Sequence, residues 1–141
     1  MSDEQLIEIA KIAWKNAVCP VTAYAVGAAL LCKSKTVYIG ANIEEYSIIN
    51  LSNCAERVAL QNAMAHGERE FEKIAIVGGN IKTGMLDSSI SPCGVCLQYM
   101  LDFCKDIDII VYENGSITSK KITDFLVSPF ELDKKESIKK N

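Results

Sequence analysis

The strongest constraint on this chain is a pair of cysteine-bearing helix starts far apart in the sequence: Cys54-Ala55-Glu56-Arg57, and Ser91-Pro92-Cys93-Gly94-Val95-Cys96. In the second, Ser91 reads as an N-cap with Pro92 at the first helical position, opening a helix that runs to about Cys104. In the first, Asn53 with Glu56 suggests a cap. Ala55, Val58, Ala59, Asn62, Ala63 and Ala65 then carry the helix to His66 and to Gly67, a natural stop. Cys93 and Cys96 stand three apart and share one helical face. The unpaired N–H groups and positive dipole of a helix start lower thiol pKa and favour the thiolate. Three thiolates supply three corners of a zinc tetrahedron and leave the fourth open, which is the pattern of a catalytic zinc rather than a structural one.

A lone Cys-x-x-Cys also fits a redox motif or half a zinc ribbon. A thioredoxin-like pair directly follows the first strand, whereas this one comes late, and a ribbon needs a second close pair that the sequence lacks. The remaining cysteines have no such company. Cys32 and Cys104 read as small buried apolar residues, and Cys19 is undecided. His66, the single histidine, sits at a helix end and reads as a dipole partner there, and Asp102, Glu68 and Glu70 fit solvated positions.

The other elements follow from hydrophobic period. Ser2 with Gln5 forms a capping box for a helix over roughly residues 3–17, with Leu6, Ile9, Ala10, Ala13 and Ala17 on one face and Trp14 in the core or an interface. Residues 24–32 and Val37 to Ala41 read as a hairpin joined through Lys33-Ser34-Lys35. A polar, irregular loop spans Asn42 to Asn53. Lys73 to Gly78 and Asp108 to Glu113 are further strands, and Lys120 to Ile122 a last short one before a helical turn. Strands alternating with helices after the hairpin argue for an α/β fold with both sheet faces covered.

With 141 residues and no linker, the chain is expected to form one domain over 1–141. A net charge of −3, without a stripe of Lys and Arg, gives no electrostatic reason to expect nucleic acid or an anionic membrane as partner. The basic run Lys134 to Lys140 reads as a solvated tail. No apolar stretch is long enough to span a bilayer, and the acidic N-terminus lacks the order of a signal peptide, so the expected location is cytoplasmic.

Glu56 lies two residues from a proposed ligand and points elsewhere on the helix, beside a metal rather than on it. Alone it would be an ordinary capping glutamate. Together with the downstream Pro-Cys-x-x-Cys it matches the zinc deaminase signature, in which a Cys or His ligand is followed by a non-ligating Glu. Cys54-Ala55-Glu56-Arg57 and Ser91-Pro92-Cys93-Gly94-Val95-Cys96-Leu97-Gln98 resemble the two metal motifs of the cytidine deaminase family. Val26-Gly27-Ala28-Ala29-Leu30 resembles its first-strand motif. Gly40-Ala41-Asn42-Ile43-Glu44 resembles its ribose-binding segment, and Ser128-Pro129-Phe130-Glu131-Leu132 its C-terminal segment. The likeness runs through nearly the whole chain in order.

The resemblance implies a three-layer α-β-α fold with a mixed sheet of about five strands, and zinc on Cys54, Cys93 and Cys96. It implies that Glu56 shuttles protons while a zinc-activated water attacks C4 of the pyrimidine. It also implies substrate contacts from Asn42 and Glu44 to the sugar, from Tyr24, from the Ala55 N–H and Ser91 backbone to the base, and from Phe130 to a neighbouring subunit's site in a homotetramer. The activity implied is hydrolytic deamination of cytidine and deoxycytidine in pyrimidine salvage, with no nucleic acid or membrane partner. Alternatives are a deaminase of a modified cytosine nucleoside such as blasticidin S, or a catalytically decayed zinc-stabilised binding protein. Arg57 offsets thiolate charge, since zinc with three thiolates carries net −1. Departures from the family pattern are Tyr24 in place of Phe, Val21-Thr22 where Tyr-Ser is frequent, Glu45 in place of Asn, a 42–54 loop about one residue longer than usual, and Leu97 where an arginine is common.

Overall fold

The computed structural model describes residues 1–131, so Leu132 and the Lys134–Lys140 run lie outside the described residues. Helix α1 (Asp3–Trp14) opens on the expected capping box, with Ser2 accepting from the Gln5 amide and Gln5 reaching back to the Ser2 amide. It ends three residues earlier than its apolar period suggests. The chain turns there so that Val18 can pair with Ile43.

Strands β1 (Tyr24–Cys32) and β2 (Val37–Ala41) form the expected hairpin, with Lys35 in the left-handed region at φ 75°. Helix α2 (Ala55–Ala65) leads through Gly67, at φ 93°, to β3 (Phe71–Asn80). A two-residue strand β4 (Met85–Leu86), not foreseen from sequence, folds back on the end of β3. Helix α3 (Gly94–Phe103), β5 (Asp108–Glu113), β6 (Ser116–Lys120) and the short α4 (Ile122–Phe125) complete the described chain. The expected last strand at 120–122 therefore lies earlier, because Asn114 and Gly115, both at positive φ, make a tight turn that starts β6 at once.

The sheet is mixed and six-stranded, in the order β2-β1-β3-β5-β6 with β4 on the edge of β3; only β3 and β5 run parallel. Helix α1 packs on one face through Leu6, Ile7, Ala10 and Trp14. Helices α2, α3 and α4 cover the other, where Leu60, Met100, Leu101 and Ile122 meet Leu30, Ile74, Ile76 and Ile109. The β1 alternation assigns its side chains to faces. Ala28, Leu30 and Cys32 pack on the α2–α3 side with Val26 against them, whereas Ala25, Ala29 and Leu31 pack under α1.

Two caps are corrected. Asn53 does not cap α2, since its amide donates to Gln61 Oε1 at 2.8 Å while Cys54 occupies the N-cap position. Ser91 likewise does not cap α3. The N-cap is Cys93, whose sulfur accepts from the Cys96 amide, and Pro92 precedes it. Each of the two helix starts therefore has a cysteine where Ser, Asp or Asn is usual. Gly40 brings α2 down onto the sheet: a Cβ there would overlap the Ala55 carbonyl and the Ala59 amide. Among the described residues no helix is long and apolar enough to cross a membrane.

Candidate active site

The two helix starts converge. The Sγ atoms of Cys54, Cys93 and Cys96 all lie within 4.8 Å of one another, and Cys54 and Cys93 are 4.0 Å apart. Tetrahedral zinc with ~2.3 Å bonds to sulfur requires S···S edges of about 3.8 Å. Small side-chain adjustments therefore close the cluster on a metal. The donors' ionisation supports the fit. The Cys54 thiol is held down to about 5, first by its hydrogen bond with Cys96 and then by Arg57. Cys96 is pushed up by that same bond and by burial. Three sulfurs this close ionise together only when a cation shares their charge. Zinc fits this donor set.

Arg57, half-buried on the first turn of α2, donates from Nη2 to Cys54 Sγ at 3.4 Å, as its proposed role requires. Its Nε is buried without a hydrogen-bond partner. Leu97 faces the core between α2 and α3 at 3% exposure, so Arg57 is the guanidinium that meets the cluster.

Glu56 is the one charged side chain buried among the described residues, at 4% exposure. Burial pushes its carboxyl up to about 7, and the charge of Cys54 adds to the effect. A carboxyl poised near neutrality and next to the cluster is suited to both taking and giving a proton. Ala55, the first residue of α2, is fully buried beside it, and its N–H is among those a helix leaves without an intrahelical acceptor.

Asn42, Glu44 and Tyr24 form a second group, joined to the first by backbone pairing. Ile43 exchanges hydrogen bonds with Asn53, directly before Cys54, and is flanked on its other side by Val18. Asn42 Oδ1 accepts from the Val26 amide and Nδ2 donates to the Tyr24 carbonyl, both at 2.8 Å. Glu44 Oε1 accepts from the amides of Val21 and Thr22, and Oε2 from Thr22 Oγ1 at 2.6 Å. These bonds hold the Glu44 carboxyl below its usual value against a desolvation that opposes them. Thr22, marked in the sequence only as part of Val21-Thr22 where the resembled family often has Tyr-Ser, is thus a connecting residue: its Oγ1 also accepts from the Tyr24 amide.

Ser91 is exposed and lies on the approach to Cys93. It also lines a separate concavity of about 310 Å³, with Ile90, Tyr112, Lys120 and Phe125, that touches none of the other predicted site residues. Phe130 joins neither group within this chain. Its ring is 67% exposed, and its carbonyl accepts from Gln98 Nε2 on α3. The structure keeps Cys32 and Cys104 in the core, and Cys19 under α1. His66 caps the end of α2, with Nδ1 2.8 Å from the Asn62 carbonyl oxygen.

Residues 1–113 match the family model described as the cytidine and deoxycytidylate deaminase zinc-binding region. A cytidine deaminase of Sporosarcina psychrophila is 39% identical over 132 residues, covering 92% of each chain. One from Halalkalibacterium halodurans is 40% identical over 132 residues, covering 92% of this chain and 95% of the relative. The crystal structure of a cytidine deaminase from Burkholderia pseudomallei superimposes with a TM-score of 0.81 at 36% identity, over 92% of this chain and all of that one. With a matching family model over most of its length and a matching donor set at its two helix starts, this chain belongs to the cytidine and deoxycytidylate deaminase family.

Proposed function

We propose that this chain is a zinc-dependent hydrolase that deaminates cytidine and deoxycytidine to the uracil nucleosides and ammonia, in pyrimidine salvage. The observation that carries the reading is a buried, proton-poised Glu56 beside three convergent thiols, a donor set that would leave a bound zinc open to water. When bound there, zinc supplies the Lewis acidity that makes water a nucleophile near neutral pH. Cys54, Cys93 and Cys96 hold it, and Arg57 offsets their charge. Glu56 takes the first proton of the attacking water and delivers it to N3 of the base, then takes the second from the C4 hydroxyl of the tetrahedral adduct and passes it to the leaving amine as the C4–N bond breaks. The Ala55 N–H binds the base carbonyl, and the Ser91 backbone carbonyl accepts from the amino group.

Asn42 and Glu44 bind the ribose. Their bonds within the chain leave room for this. An amide has two N–H donors, of which Asn42 uses one on Tyr24, and a carboxylate offers about four lone-pair sites, of which Glu44 uses three. Each retains a position for a hydroxyl while the others fix its direction. Tyr24 forms a wall of the same pocket. The enzyme works as a cytoplasmic homotetramer in which Phe130 reaches a neighbour. Exposed Tyr46, Ile48, Leu51 and Phe130 are the apolar surface such an assembly would cover.

The test is direct: incubate zinc-loaded protein with cytidine, deoxycytidine, cytosine and blasticidin S, and follow the loss of cytosine absorbance. Cytidine and deoxycytidine should turn over far faster than free cytosine, because half-buried sugar partners left unpaired penalise the base alone. A strong preference for blasticidin S would move the reading to that substrate, and no turnover of any of the four would refute it.

A further inference from the structure

The sequence offers no reason to single out Asp87, yet the fold places it in contact with the pocket wall. Strand β4 exists only as a ribbon on the end of β3, with Leu86 opposite Gly79 and Met85 opposite Asn80. A Cβ at Gly79 would overlap the Met85 carbonyl, so the glycine is what lets the ribbon lie so close. The ribbon delivers Asp87, whose amide donates to the Gly78 carbonyl at 2.8 Å and whose Oδ2 accepts from the Tyr24 hydroxyl at 2.7 Å. Gly78 forms the floor beneath the ring. A Cβ there would stand 2.7 Å from the Tyr24 hydroxyl and 2.5 Å from the Ile90 methyl. Ile90 is the residue before Ser91.

Tyr24 is therefore fixed from both ends. Its amide is bound to Thr22 and its carbonyl to Asn42, the same side chains that organise the sugar group. Its hydroxyl is bound to a carboxylate on a separate ribbon. The β1 alternation turns its side chain to the face that carries α2 and α3. A phenylalanine at this position would have nothing for Asp87 to hold.

We infer that Asp87 is a positioning residue for the nucleoside site: through its hydrogen bond it locks the Tyr24 ring as a rigid wall and so sets how tightly the nucleoside is bound. This rests on the substrate reading above. A charge-assisted hydrogen bond at a partly exposed site restrains its partner modestly, so removing it should raise KM about three- to tenfold with kcat nearly unchanged.

The experiment is a double-substitution cycle on the zinc-loaded enzyme: wild type, Tyr24→Phe, Asp87→Ala and the pair, each with KM and kcat for cytidine. Either single change should raise KM by the same factor, and the pair should be no worse than one. Additive effects, or an Asp87→Ala effect that persists undiminished in the Tyr24→Phe background, would overturn the inference, as would an unchanged KM in Asp87→Ala. Tyrosine ring NMR spectra of wild type and Asp87→Ala, taken without substrate, provide an arm independent of turnover. Tyr24 ring flipping should quicken when Asp87 is lost, and unchanged flipping would overturn the clamp. If the wild type left cytidine untouched, the substrate reading would fail and the ring spectra would judge the clamp alone. Asp87→Asn, which keeps an acceptor, should restore most of the KM and the slow flipping.

Discussion

Removing the Arg57 guanidinium tests the charge balance of the thiol cluster. Three thiolates leave a divalent ion with net −1, and Arg57 is the cation seen donating to one of them, 3.4 Å from Cys54 Sγ. Changes to groups that support metal ligands typically reduce affinity about ten- to a hundredfold, or roughly 1.4–2.7 kcal/mol. Arg57 is only half-buried, so water shares the charge and the effect of Arg57→Ala should fall in the lower part of that range, about ten- to thirtyfold. Arg57→Lys keeps the charge but loses the planar fork, and should fall between the two. The assay is competition for zinc against a chromophoric chelator at fixed pH, with thermal unfolding of the same samples as a control for the fold. Leu97 neighbours Cys96 and is buried, so adding Leu97→Arg puts a guanidinium beside the cluster at the expense of a packed leucine. The double variant should regain part of the zinc affinity while losing thermal stability. Unchanged zinc affinity in Arg57→Ala would refute the reasoning, because the cluster's charge would then be offset elsewhere.

Glu56→Ala should keep one zinc per chain and lose about two to four orders of magnitude in turnover; loss of the metal, measured by elemental analysis, would make Glu56 a ligand instead. Glu44→Ala should lower kcat/KM for cytidine while leaving the slow reaction of free cytosine unaffected, and indifference of the cytidine reaction would remove Glu44 from the sugar site. Gly40→Ala pushes a methyl into the backbone of α2, which should destabilise the fold by about 1–3 kcal/mol in chemical denaturation and weaken zinc binding with it. Normal stability in that variant would show that α2 can shift without consequence.

The fold was legible wherever local pattern and tertiary packing agree. The β1, β2 and β5 limits follow from apolar runs bounded by turn residues, and they coincide with the observed strands. The β4 ribbon was not legible. Met85 and Leu86 are too few to carry a period, and their pairing depends on Gly79 lacking a side chain. The caps were misassigned for a related reason. Propensity favours Asn53 and Ser91 at helix starts, but the cysteines take those positions, because the chain places sulfur rather than oxygen at the end of each helix. Of the site, Cys54, Cys93, Cys96, Glu56 and Arg57 meet as their motif spacing suggests. Thr22 enters through its bonds to Glu44 and Tyr24, and Asp87 through its bond to Tyr24; contacts across the fold leave no trace in spacing.

The convergence of Cys54 with Cys93 and Cys96 also bears on when the protein can hold its metal. An unfolded chain already presents Cys93 and Cys96 as a local chelating pair, but Cys54 lies 39 positions away from Cys93. Recruiting it means closing that loop, and the entropy of doing so in a disordered chain is on the order of 4 kcal/mol. The native sheet has already closed it, by routing β3 between the two segments. The third sulfur therefore acts as a discriminator. Zinc should bind the folded chain about a thousandfold more tightly than the unfolded one on this ground alone, and tight uptake during refolding should coincide with completion of the sheet. Fast, tight uptake by the denatured chain would contradict this.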